Sequence, residues 1–374
     1  MPETAAERYV GLMSGTSLDG IDGVIVEFDG DRLTALVGQL HHPYPAALRR
    51  RLLEISIDQP AITLREFTAL DVAIGEAFAD AAVALLDHCH ADPSTIKAIG
   101  SHGQTMFHDG AAGQTLQMGD ASRIVAATGI ATVADFRRLD VALGGQGAPL
   151  VPAFHHALFS HATEARCALN LGGIANITVL PAGGNGAVIG FDTGPANGLM
   201  DEWTQRCTGQ PYDEGGAFAA RGIPDEALLA ALLADPYFAL AAPKSTGRDY
   251  FRLGWALQRY PALLQLKPED VQASLAQLTV RSIVTAVRAA QTETARLIVC
   301  GGGARNAHLL AQLAEALPEV AVDTSAVGGL APDLIEAAAF AWLAMRRLRG
   351  LPGNLPSVTG ARREAALGSV LLGG

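Results

Sequence analysis

Residues 9–28 are YVGLMSGTSLDGIDGVIVEF, in which two apolar runs flank a turn of Gly, Ser, Thr and Asp. Residues 167–180 are CALNLGGIANITVL, with the same arrangement around Gly and Asn. Each stretch predicts a β-hairpin, because small turn residues separate two runs of strand length. The two tips are rich in backbone N–H groups, and one opens each half of the chain. We therefore expect a pair of phosphate-binding hairpins that face each other across a cleft.

The segments after each hairpin follow the same order. Apolar spacing predicts a third strand, helices and a fourth strand in both halves. In the first half these are strands over 33–44 and 96–103 and helices over 45–53 and 64–90. In the second half they are strands over 187–198 and 296–303 and helices over 198–207, 268–291, 306–316 and 332–348.

This alternation predicts an α/β fold built from two related domains. We expect the first domain to span residues 1–130 and the second to span 131–344. The C-terminal helical part, about 345–374, is expected to pack back on the first domain.

The composition limits the possible functions. The 374 residues are 49% hydrophobic and 17% charged, and the net charge is −11 with a pI near 5.3. Such a chain lacks the basic surface that non-specific nucleic-acid binding requires, so no nucleic-acid partner is expected. Any bound phosphate must be held by backbone N–H groups, a metal or a few local cations.

Cysteine spacing and hydropathy indicate the compartment. The four cysteines are far apart and form no CxxC pair, which argues against a disulfide framework or a zinc site. We find neither a signal-peptide pattern nor an uninterrupted apolar run of about 18 residues. The expectation is a cytoplasmic protein without a membrane partner.

The first hairpin tip, Gly11 to Gly23, has two interpretations of equal weight. Its glycines allow close backbone approach to an anion, and Ser14, Thr16 and Ser17 add hydroxyl donors. Asp19 could supply an oxygen ligand to Mg²⁺, directly or through water, as could Asp22. The same composition is also typical of an ordinary hairpin turn.

Three motifs in the second half carry similar alternatives. Gly172 and Gly173 form a small-residue tip that by itself indicates a turn. Asp192 ends a strand, where it could act as a general base or cap the following helix; the continuation TGPAN favours function. Cys300 to Asn306 places three glycines between a strand and a helix, which favours a surface for a nucleoside over a simple turn.

Polar segments between residues 101 and 149 form a candidate sugar-binding belt. His102 could be catalytic, although a hydrogen-bonded loop histidine is the more common role. Of Arg137 and Arg138, we expect one to contact a ligand and the other to be structural. Glu336 begins an apolar helix, where it could favour the N-terminus electrostatically or face the substrate.

Taken together, these motifs resemble the anhydro-N-acetylmuramic acid kinase family. The resemblance covers almost the whole chain and is carried by LMSGTSLDGID, SHGQTMFH, LQMGD, DFRRLDVALGGQGAPLVPAFH, LNLGGIANIT, GFDTGPANGLMDEW, CGGGARN and EAAAFAWLA. It implies two actin-like ATPase (ribonuclease H-like) domains with an interdomain cleft that close on ATP.

The resemblance also implies a reaction. The expected enzyme opens 1,6-anhydro-N-acetylmuramic acid with water and transfers phosphate from ATP, with Mg²⁺, to give N-acetylmuramic acid 6-phosphate. It would serve peptidoglycan recycling as a homodimer. Asp192 corresponds to the family's catalytic base, and Glu336 to a second carboxylate near the sugar.

The motifs and the resemblance together assign the binding residues. The residues expected to bind ATP or its phosphates are Gly11, Ser14, Gly15, Thr16, Ser17, Asp19, Gly20, Asp22, Gly172, Gly173, Asn176, Gly301, Gly302, Gly303 and Asn306. The residues expected to bind the sugar are His102, Gln104, Asp135, Arg137, Gly194 and Asn197.

Three other functions were weighed. One is a kinase for a related sugar with a free hydroxyl and no ring cleavage. Another is a non-catalytic nucleotide switch, which would need large insertions or an appended peptide-binding domain. The last is a glycoside hydrolase that uses Asp192 and Glu336 and turns over without ATP.

Overall fold

The computed structural model describes residues 6–15, 17–184, 186–242, 244–247, 249–291 and 293–373. The strands are β1 (Glu7–Met13), β2 (Gly20–Asp29), β3 (Arg32–Pro43), β4 (Ile96–Ser101), β5 (Gln104–Asp109), β6 (Gln114–Met118), β7 (Thr132–Ala134), β8 (Arg166–Leu171), β9 (Ile174–Leu180), β10 (Ile189–Pro195), β11 (Arg296–Cys300), β12 (Ala321–Thr324) and β13 (Ser369–Leu371). The helices are α1 (Ala46–Asp58), α2 (Leu64–His88), α3 (Ala121–Thr128), α4 (Arg138–Ala142), α5 (Val151–Phe159), α6 (Asn197–Thr208), α7 (Glu226–Leu233), α8 (Pro236–Ala239), α9 (Leu253–Arg259), α10 (Pro268–Ala290), α11 (Ala307–Ala316), α12 (Ile335–Leu348) and α13 (Pro356–Thr359).

The chain forms two compact units. The first contains Met1–Leu158 and Leu334–Gly374, and the second contains Phe159–Asp333. The domain boundaries expected from the sequence, at 130/131 and 344/345, stay a prediction. In the first unit, β7 pairs with β4 and the whole of α12 packs on β1 and β4, so segments on both sides of those positions share its core.

Both units contain the same five-stranded arrangement. In the first, the strand order is β13-β7-β4-β1-β2-β3, with β1, β2 and β3 antiparallel and β1, β4 and β7 parallel. In the second, the order is β10-β9-β8-β11-β12, with β8, β9 and β10 antiparallel and β8, β11 and β12 parallel. The predicted class, α/β with two related domains of the ribonuclease H-like type, is therefore confirmed.

Local sequence explains why the long helices form where they do. Thr63 caps α2 by accepting the backbone N–H of Glu66, as an N-cap threonine usually does. Leu70, Ile74 and Phe78 then recur at helical spacing and lie in the core of the first unit. Pro268 occupies the first turn of α10, which buries Val271, Leu275 and other apolar residues in the core of the second unit.

Helix α12 lies very close to the sheet of the first unit. A Cβ at Gly11 would overlap the carbonyl oxygen of Ala337 and come within 2.8 Å of the backbone nitrogen of Ala341. A Cβ at Gly100 would likewise overlap the carbonyl oxygen of Phe340. Glycine at both strand positions thus permits contact between the helix backbone and the sheet.

A buried carboxylate ties the C-terminal segment to the first unit. Asp140 accepts hydrogen bonds from the backbone N–H of Gly147 (2.8 Å), the amide of Asn354 (2.7 Å) and the hydroxyl of Thr359 (2.8 Å). Burial of an ionised group is tolerated when its oxygens are satisfied in this way. The carboxylate therefore fixes both residues 138–147 and the tail around α13.

The structure adds strands that the periodicity did not predict. The segment containing SHGQT and LQMGD, expected to be polar loops, forms the β5–β6 hairpin. Strands β7, β12 and β13 are three or four residues long, too short to show an apolar period. Within the described residues, no helix is both long enough and apolar enough to cross a membrane.

Candidate active site

The tip of the first hairpin is held closed by buried side chains. The Ser14 hydroxyl lies 2.8 Å from the carbonyl oxygen of Gly20 and 2.7 Å from Oε1 of Gln104. Tyr44 donates to the same Gln104 oxygen (3.2 Å), and the Gln104 amide donates to the carbonyl of Gly15 (3.3 Å). Ser14 and Gln104 thus make contacts within the protein that give the tip its shape.

The exposed side of this tip carries the oxygen donors expected near phosphate. Ser17 donates to Oδ1 of Asp19 (2.6 Å), and both residues are exposed. Asp22 lies on β2, where its carboxylate is 2.8 Å from Nδ1 of His41. Thr16 lies outside the described residues.

Asp19 fits a role as a Mg²⁺ ligand. No group of three or more His, Cys, Asp or Glu side chains with metal-binding geometry occurs in the described part of the chain. Mg²⁺ commonly keeps several waters and binds one or two carboxylates together with substrate phosphates. The Asp19 carboxylate, with the adjacent Ser17 hydroxyl, has the donor chemistry for such an open site.

Two glycines assigned to the phosphate site are required by packing. Gly11 is buried beneath α12, as described above, and a Cβ at Gly20 would come within 2.6 Å of the carbonyl oxygen of His42. These contacts explain the glycines without a ligand. The assignment of both to the phosphate site stays a prediction.

His102 and Arg137 are joined in the first unit. Arg137 donates to Nε2 of His102 from Nη2 (2.9 Å) and Nε (3.2 Å), and to the carbonyl of Gly147 (2.8 Å). Because the guanidinium can only donate, Nε2 must be unprotonated and Nδ1 carries the hydrogen. The imidazole packs on Phe340, with ring centroids 4.6 Å apart.

The His102 ring is kept neutral by its surroundings. Burial, and then the charge of Arg137, lower the pKa of His102 well below its usual value. Its Nδ1 has no acceptor within hydrogen-bond distance among the described residues, although peptide groups of Ser14 and Gly103 are near enough to favour a proton there. His102 is therefore poorly suited to proton transfer near neutral pH.

Glu336 lies in the first turn of α12, close to this pair. The Glu336 residue is partly exposed, but burial of its carboxyl group raises the pKa of that group. The charge of Arg137 opposes that rise and the charge of Asp22 adds to it. Burial also lowers the pKa of Arg137 to about 10, against the opposing charges of Glu336 and Asp140.

Asp135 and Arg138 form a second, more exposed pair. Arg138 Nε is 3.6 Å from the Asp135 carboxylate, and the Arg138 side chain is 57% exposed. Asp135 has a φ of +57°, a left-handed conformation that costs free energy in a non-glycine residue. Arg137 is thus the arginine held within the candidate site, and Arg138 braces Asp135.

In the second unit, the Gly172–Gly173 turn receives the start of helix α6. The carbonyl of Gly173 accepts the N–H groups of Ala196 and Gly198 (3.1 Å each), and that of Gly172 accepts the N–H of Asn197 (3.1 Å). The Asn197 amide also donates to the carbonyl of Leu171 (2.9 Å). Asn197 therefore joins the hairpin to the helix.

A row of polar residues crosses the sheet of this unit. Asn170, Asn176 and Asp192 are successive register partners on β8, β9 and β10. Directly opposed residues of antiparallel strands project from the same face, so the three side chains lie side by side. The register shifts between Asp192 and Gly194, where the strand bulges just beyond the carboxylate.

Asp192 has the electrostatics of a general base. Oδ2 accepts the backbone N–H of Thr246 (2.9 Å). Burial raises the pKa of Asp192 to about 6, while the Thr246 hydrogen bond lowers it. A carboxylate with this pKa is mostly ionised at neutral pH and is a stronger base than an exposed aspartate.

Gly194 lies immediately after the bulge. Its φ is +152°, and a Cβ there would come within 2.8 Å of Cε1 of Phe238. Glycine is therefore required by the backbone at this position. Its assignment to the sugar site stays a prediction.

The three glycines after β11 differ in their surroundings. Gly301 has a φ of +79°, and a Cβ there would overlap the Asn170 side chain. A Cβ at Gly303 would come within 2.6 Å of Cβ of Leu171, whereas Gly302 faces open space. Asn306 caps α11 by accepting the N–H of Leu309 (3.0 Å). Of this run, Gly302 is the residue with backbone open to a ligand.

Sequence reasoning missed Asn170 and Thr246. Asn170 interrupts the apolar strand CALNL, and that polar residue was an available signal. Thr246 lies 54 residues from Asp192 and contributes a backbone N–H, so no side-chain motif could have indicated it.

Comparison with known proteins identifies the family. A sequence profile described as "Anhydro-N-acetylmuramic acid kinase" matches residues 7–373. A protein of that name from Xanthomonas campestris pv. campestris (strain 8004) is 51% identical over 371 residues, which cover 98% of each chain. The protein of the same name from strain ATCC 33913 matches equally.

The chain belongs to the anhydro-N-acetylmuramic acid kinase family. It is therefore an enzyme of the kinase class, as the sequence analysis predicted.

Two of the solved structures that match the chain are more distant from it in sequence. The activator of 2-hydroxyisocaproyl-CoA dehydratase from Clostridium difficile is 12% identical, with a TM-score of 0.47, and the match covers 91% of this chain and 96% of that one. A ROK family glucokinase from Streptomyces griseus is 13% identical, with a TM-score of 0.38, and the match covers 89% of this chain and 99% of that one. These values are too low to support an argument about function.

Proposed function

We propose that this family member is an ATP-dependent kinase that opens 1,6-anhydro-N-acetylmuramic acid with water and yields N-acetylmuramic acid 6-phosphate and ADP. The family membership supports the kinase class and the sugar named in it. The observation that carries the hydrolytic step is Asp192, a partly buried carboxylate that lies within β10, just before the bulge, and not at the strand end expected from the sequence; its pKa is raised to about 6.

Asp192 is proposed to activate the water. Its carboxylate takes a proton while the water oxygen bonds to the anomeric carbon, and the bond from that carbon to the bridging oxygen breaks. The freed oxygen on carbon six attacks the γ-phosphorus, and ADP leaves. The sugar step resembles glycoside hydrolysis in which one carboxylate activates water. The negative charge that develops on the leaving oxygen is neutralised when that oxygen bonds to the γ-phosphorus.

The other polar residues are proposed to bind and orient the substrates. Arg137 supplies a cation that is fixed by His102, and Glu336 lies beside it as a second carboxylate for the sugar. Asp135 is proposed to bind the sugar together with Arg137 and Glu336. Ser14, Gln104 and Asn197 are proposed to act mainly by shaping the backbone, because each already contacts protein atoms.

ATP is proposed to lie against the backbone of the hairpin tips and of Gly302. Asp19 would hold Mg²⁺, which neutralises phosphate charge when it is bound. From the family resemblance we also propose that the protein acts in the cytoplasmic recycling of cell-wall amino sugars. On the same basis we propose that it forms a homodimer.

The experiment is turnover of the anhydro-sugar with ATP in ¹⁸O-labelled water. Phosphorus-31 NMR should show a sugar 6-phosphate, and mass spectrometry should place one ¹⁸O at the anomeric hydroxyl and none in the phosphate. Turnover without ATP would indicate a glycoside hydrolase instead. Phosphorylation restricted to reducing sugars would indicate a kinase without ring opening.

A further inference from the structure

The backbone of Asp192 is bound on its outer side by a segment from elsewhere in the second unit. Strand β10 is the edge of its sheet, so this side has no neighbouring strand in the described structure. The Asp192 N–H donates to the carbonyl of Lys244 (3.0 Å), and the Asp192 carbonyl accepts the hydroxyl of Tyr237 (2.8 Å). With the Thr246 N–H on Oδ2, three hydrogen bonds reach this one residue.

Two of these residues, Tyr237 and Lys244, are also in contact with each other. The Lys244 ammonium donates to the carbonyl of Tyr237 (3.0 Å) and lies 4.6 Å from the centre of its ring. The Tyr237 ring packs edge-on against Phe251, with centroids 5.3 Å apart. We call Tyr237, Lys244 and Thr246 the Asp192 clamp.

A buried carboxylate anchors this group. Asp235, whose side chain is 0% exposed, pairs with Arg259 at 2.5 Å. It also accepts hydrogen bonds from the backbone N–H of Tyr237 (2.8 Å), the Trp255 indole (2.7 Å) and the Tyr250 hydroxyl (3.0 Å). Both oxygens of the Asp235 carboxylate therefore have partners, and a buried hydrogen-bond network of this kind holds its members in one geometry.

We propose that Tyr237 is a positioning residue, which, with Lys244 and Thr246, fixes the Asp192 carboxylate so that it can take a proton from the attacking water. The inference rests on the proposed function and adds the residues that make Asp192 an effective base. Tyr237, Lys244 and Thr246, to which the sequence assigned no role, thereby gain one.

The chemical effect of the clamp follows from its geometry. Thr246 holds Oδ2, and among the described residues Oδ1 has no hydrogen-bond partner, so Oδ1 is the oxygen proposed to take the proton from water. Tyr237 and Lys244 hold the peptide groups on either side of the Asp192 Cα, immediately before the strand bulge. A general base displaced by even about 1 Å loses much of its rate advantage, so immobilising the main chain matters for catalysis.

Among the described residues, few charged groups lie near enough to Asp192 to complicate its titration. Tyr237 and Lys244 face it from the clamp, and β9 places the neutral Asn176 opposite. Helix α10 brings Thr279 and Ser282 to this region, while its Arg281 and Arg288 pair with Glu226 and Glu319 on the surface.

The test compares Tyr237→Phe with Tyr250→Phe. Both substitutions remove one hydroxyl from the same aromatic cluster, but only the Tyr237 hydroxyl contacts Asp192. We expect Tyr237→Phe to lower kcat roughly tenfold with both KM values within about twofold, since positioning acts on the chemical step.

The acid limb of the kcat profile of Tyr237→Phe should move to higher pH, because a loosened Thr246 hydrogen bond stabilises the ionised carboxylate less. Tyr250→Phe leaves Asp235 bound to Arg259, the Trp255 indole and the Tyr237 N–H, so its kcat and its pH profile should change much less than those of Tyr237→Phe.

Carbon-13 NMR of labelled aspartate carboxyls, with the Asp192 signal assigned from its loss in Asp192→Asn, gives the pKa without substrate. A folded Tyr237→Phe with unchanged kcat and unchanged Asp192 titration would overturn the proposal. An equal loss in Tyr250→Phe would also overturn it, because the effect would then be general loosening. If the wild type titrates as expected but does not turn over the anhydro-sugar, the proposed function fails and the clamp stands.

A second variant keeps the test available if Tyr237→Phe does not fold. Lys244→Met removes the ammonium that ties residue 244 to Tyr237 and retains most of the apolar stem. It should shift the Asp192 titration upward and lower kcat in the same way. A wild-type titration and kcat in folded Lys244→Met would contradict the proposal.

Discussion

At the residue scale, the position of a carboxylate matters as much as its identity. Asp192 and Asp140 both accept backbone N–H groups, yet their environments give them different roles. Asp140 accepts three hydrogen bonds from residues that pack around it, which fits a structural role. Within the described part of the chain, the Asp192 carboxylate accepts one hydrogen bond, from the N–H of Thr246 to Oδ2, and burial raises the pKa of the group to about 6.

The first prediction concerns Asp192→Asn. We expect kcat to fall by about 10²-fold or more with little change in affinity for ATP or the sugar, because an amide cannot take the proton of water. In the wild type, kcat should fall as the pH drops through about 6, where the carboxylate becomes protonated. Steady-state kinetics between pH 5 and 8 check both effects, and near-normal turnover by the variant would rule out Asp192 as the base.

The same substitution should alter stability in a pH-dependent way. Because the pKa of Asp192 is higher in the folded protein than the usual 3.8, the folded state binds more protons and loses stability as the pH rises between these values. Asparagine avoids the cost of burying the charge, so Asp192→Asn should be the more stable protein at pH 8, by about 1–3 kcal/mol. The difference should vanish below pH 4 in urea unfolding.

At the element scale, glycines decide how closely helices and strands approach. Gly11 and Gly100 allow α12 to lie directly on β1 and β4, and this contact positions Glu336 at the start of the helix. Gly302 differs because open space surrounds it. Glycines with similar local sequence therefore serve packing in one element and accessibility in another.

The second prediction compares Gly11→Ala with Gly302→Ala. The methyl group at position 11 overlaps the helix backbone, so we expect a loss of at least about 3 kcal/mol in unfolding free energy or failure to fold. Gly302→Ala should stay within about 0.5 kcal/mol of the wild type. If the nucleotide lies against this backbone, the KM of Gly302→Ala for ATP should be roughly tenfold or more above that of the wild type. A wild-type KM for ATP in Gly302→Ala would contradict that placement.

At the scale of the whole molecule, a net charge of −11 makes phosphate binding depend on local features. Backbone N–H groups and a cation must offset the charge of the nucleotide, since no broad basic surface does so. Nucleotide binding should therefore depend strongly on Mg²⁺. The effect should be visible as stabilisation of the entire fold, because a ligand that binds only the folded state shifts unfolding by mass action.

The third prediction uses thermal unfolding with ATP in Mg²⁺ or in EDTA. At a hundredfold excess over Kd, Mg·ATP should stabilise the wild type by about 2.7 kcal/mol, and ATP in EDTA by much less. Asp19→Asn should lose most of the Mg²⁺-dependent increase in Tm. Asp58→Asn, an exposed aspartate at the end of α1, is the matched control and should retain it. A full Mg²⁺-dependent shift in Asp19→Asn would exclude the proposed metal ligand.

Much of the fold could be predicted from sequence because its long elements have local causes. The helix predicted over 268–291 is α10, and the strand within 187–198 is β10. Periodicity failed for β7, β12 and β13, which are too short to show it. The β5–β6 hairpin was missed because its residues are mostly polar and partly exposed.

The sequence by itself determined the order of the elements, the repeated pattern and the family, since these depend on local periodicity and on motifs that are continuous in the chain. Only the tertiary structure decided which polar atoms form hydrogen bonds with distant parts of the chain. Gln104 meets Ser14 across 90 positions, and Thr246 meets Asp192 across 54. Such contacts depend on how distant segments pack, and a backbone N–H that positions a carboxylate leaves no mark in the side-chain sequence.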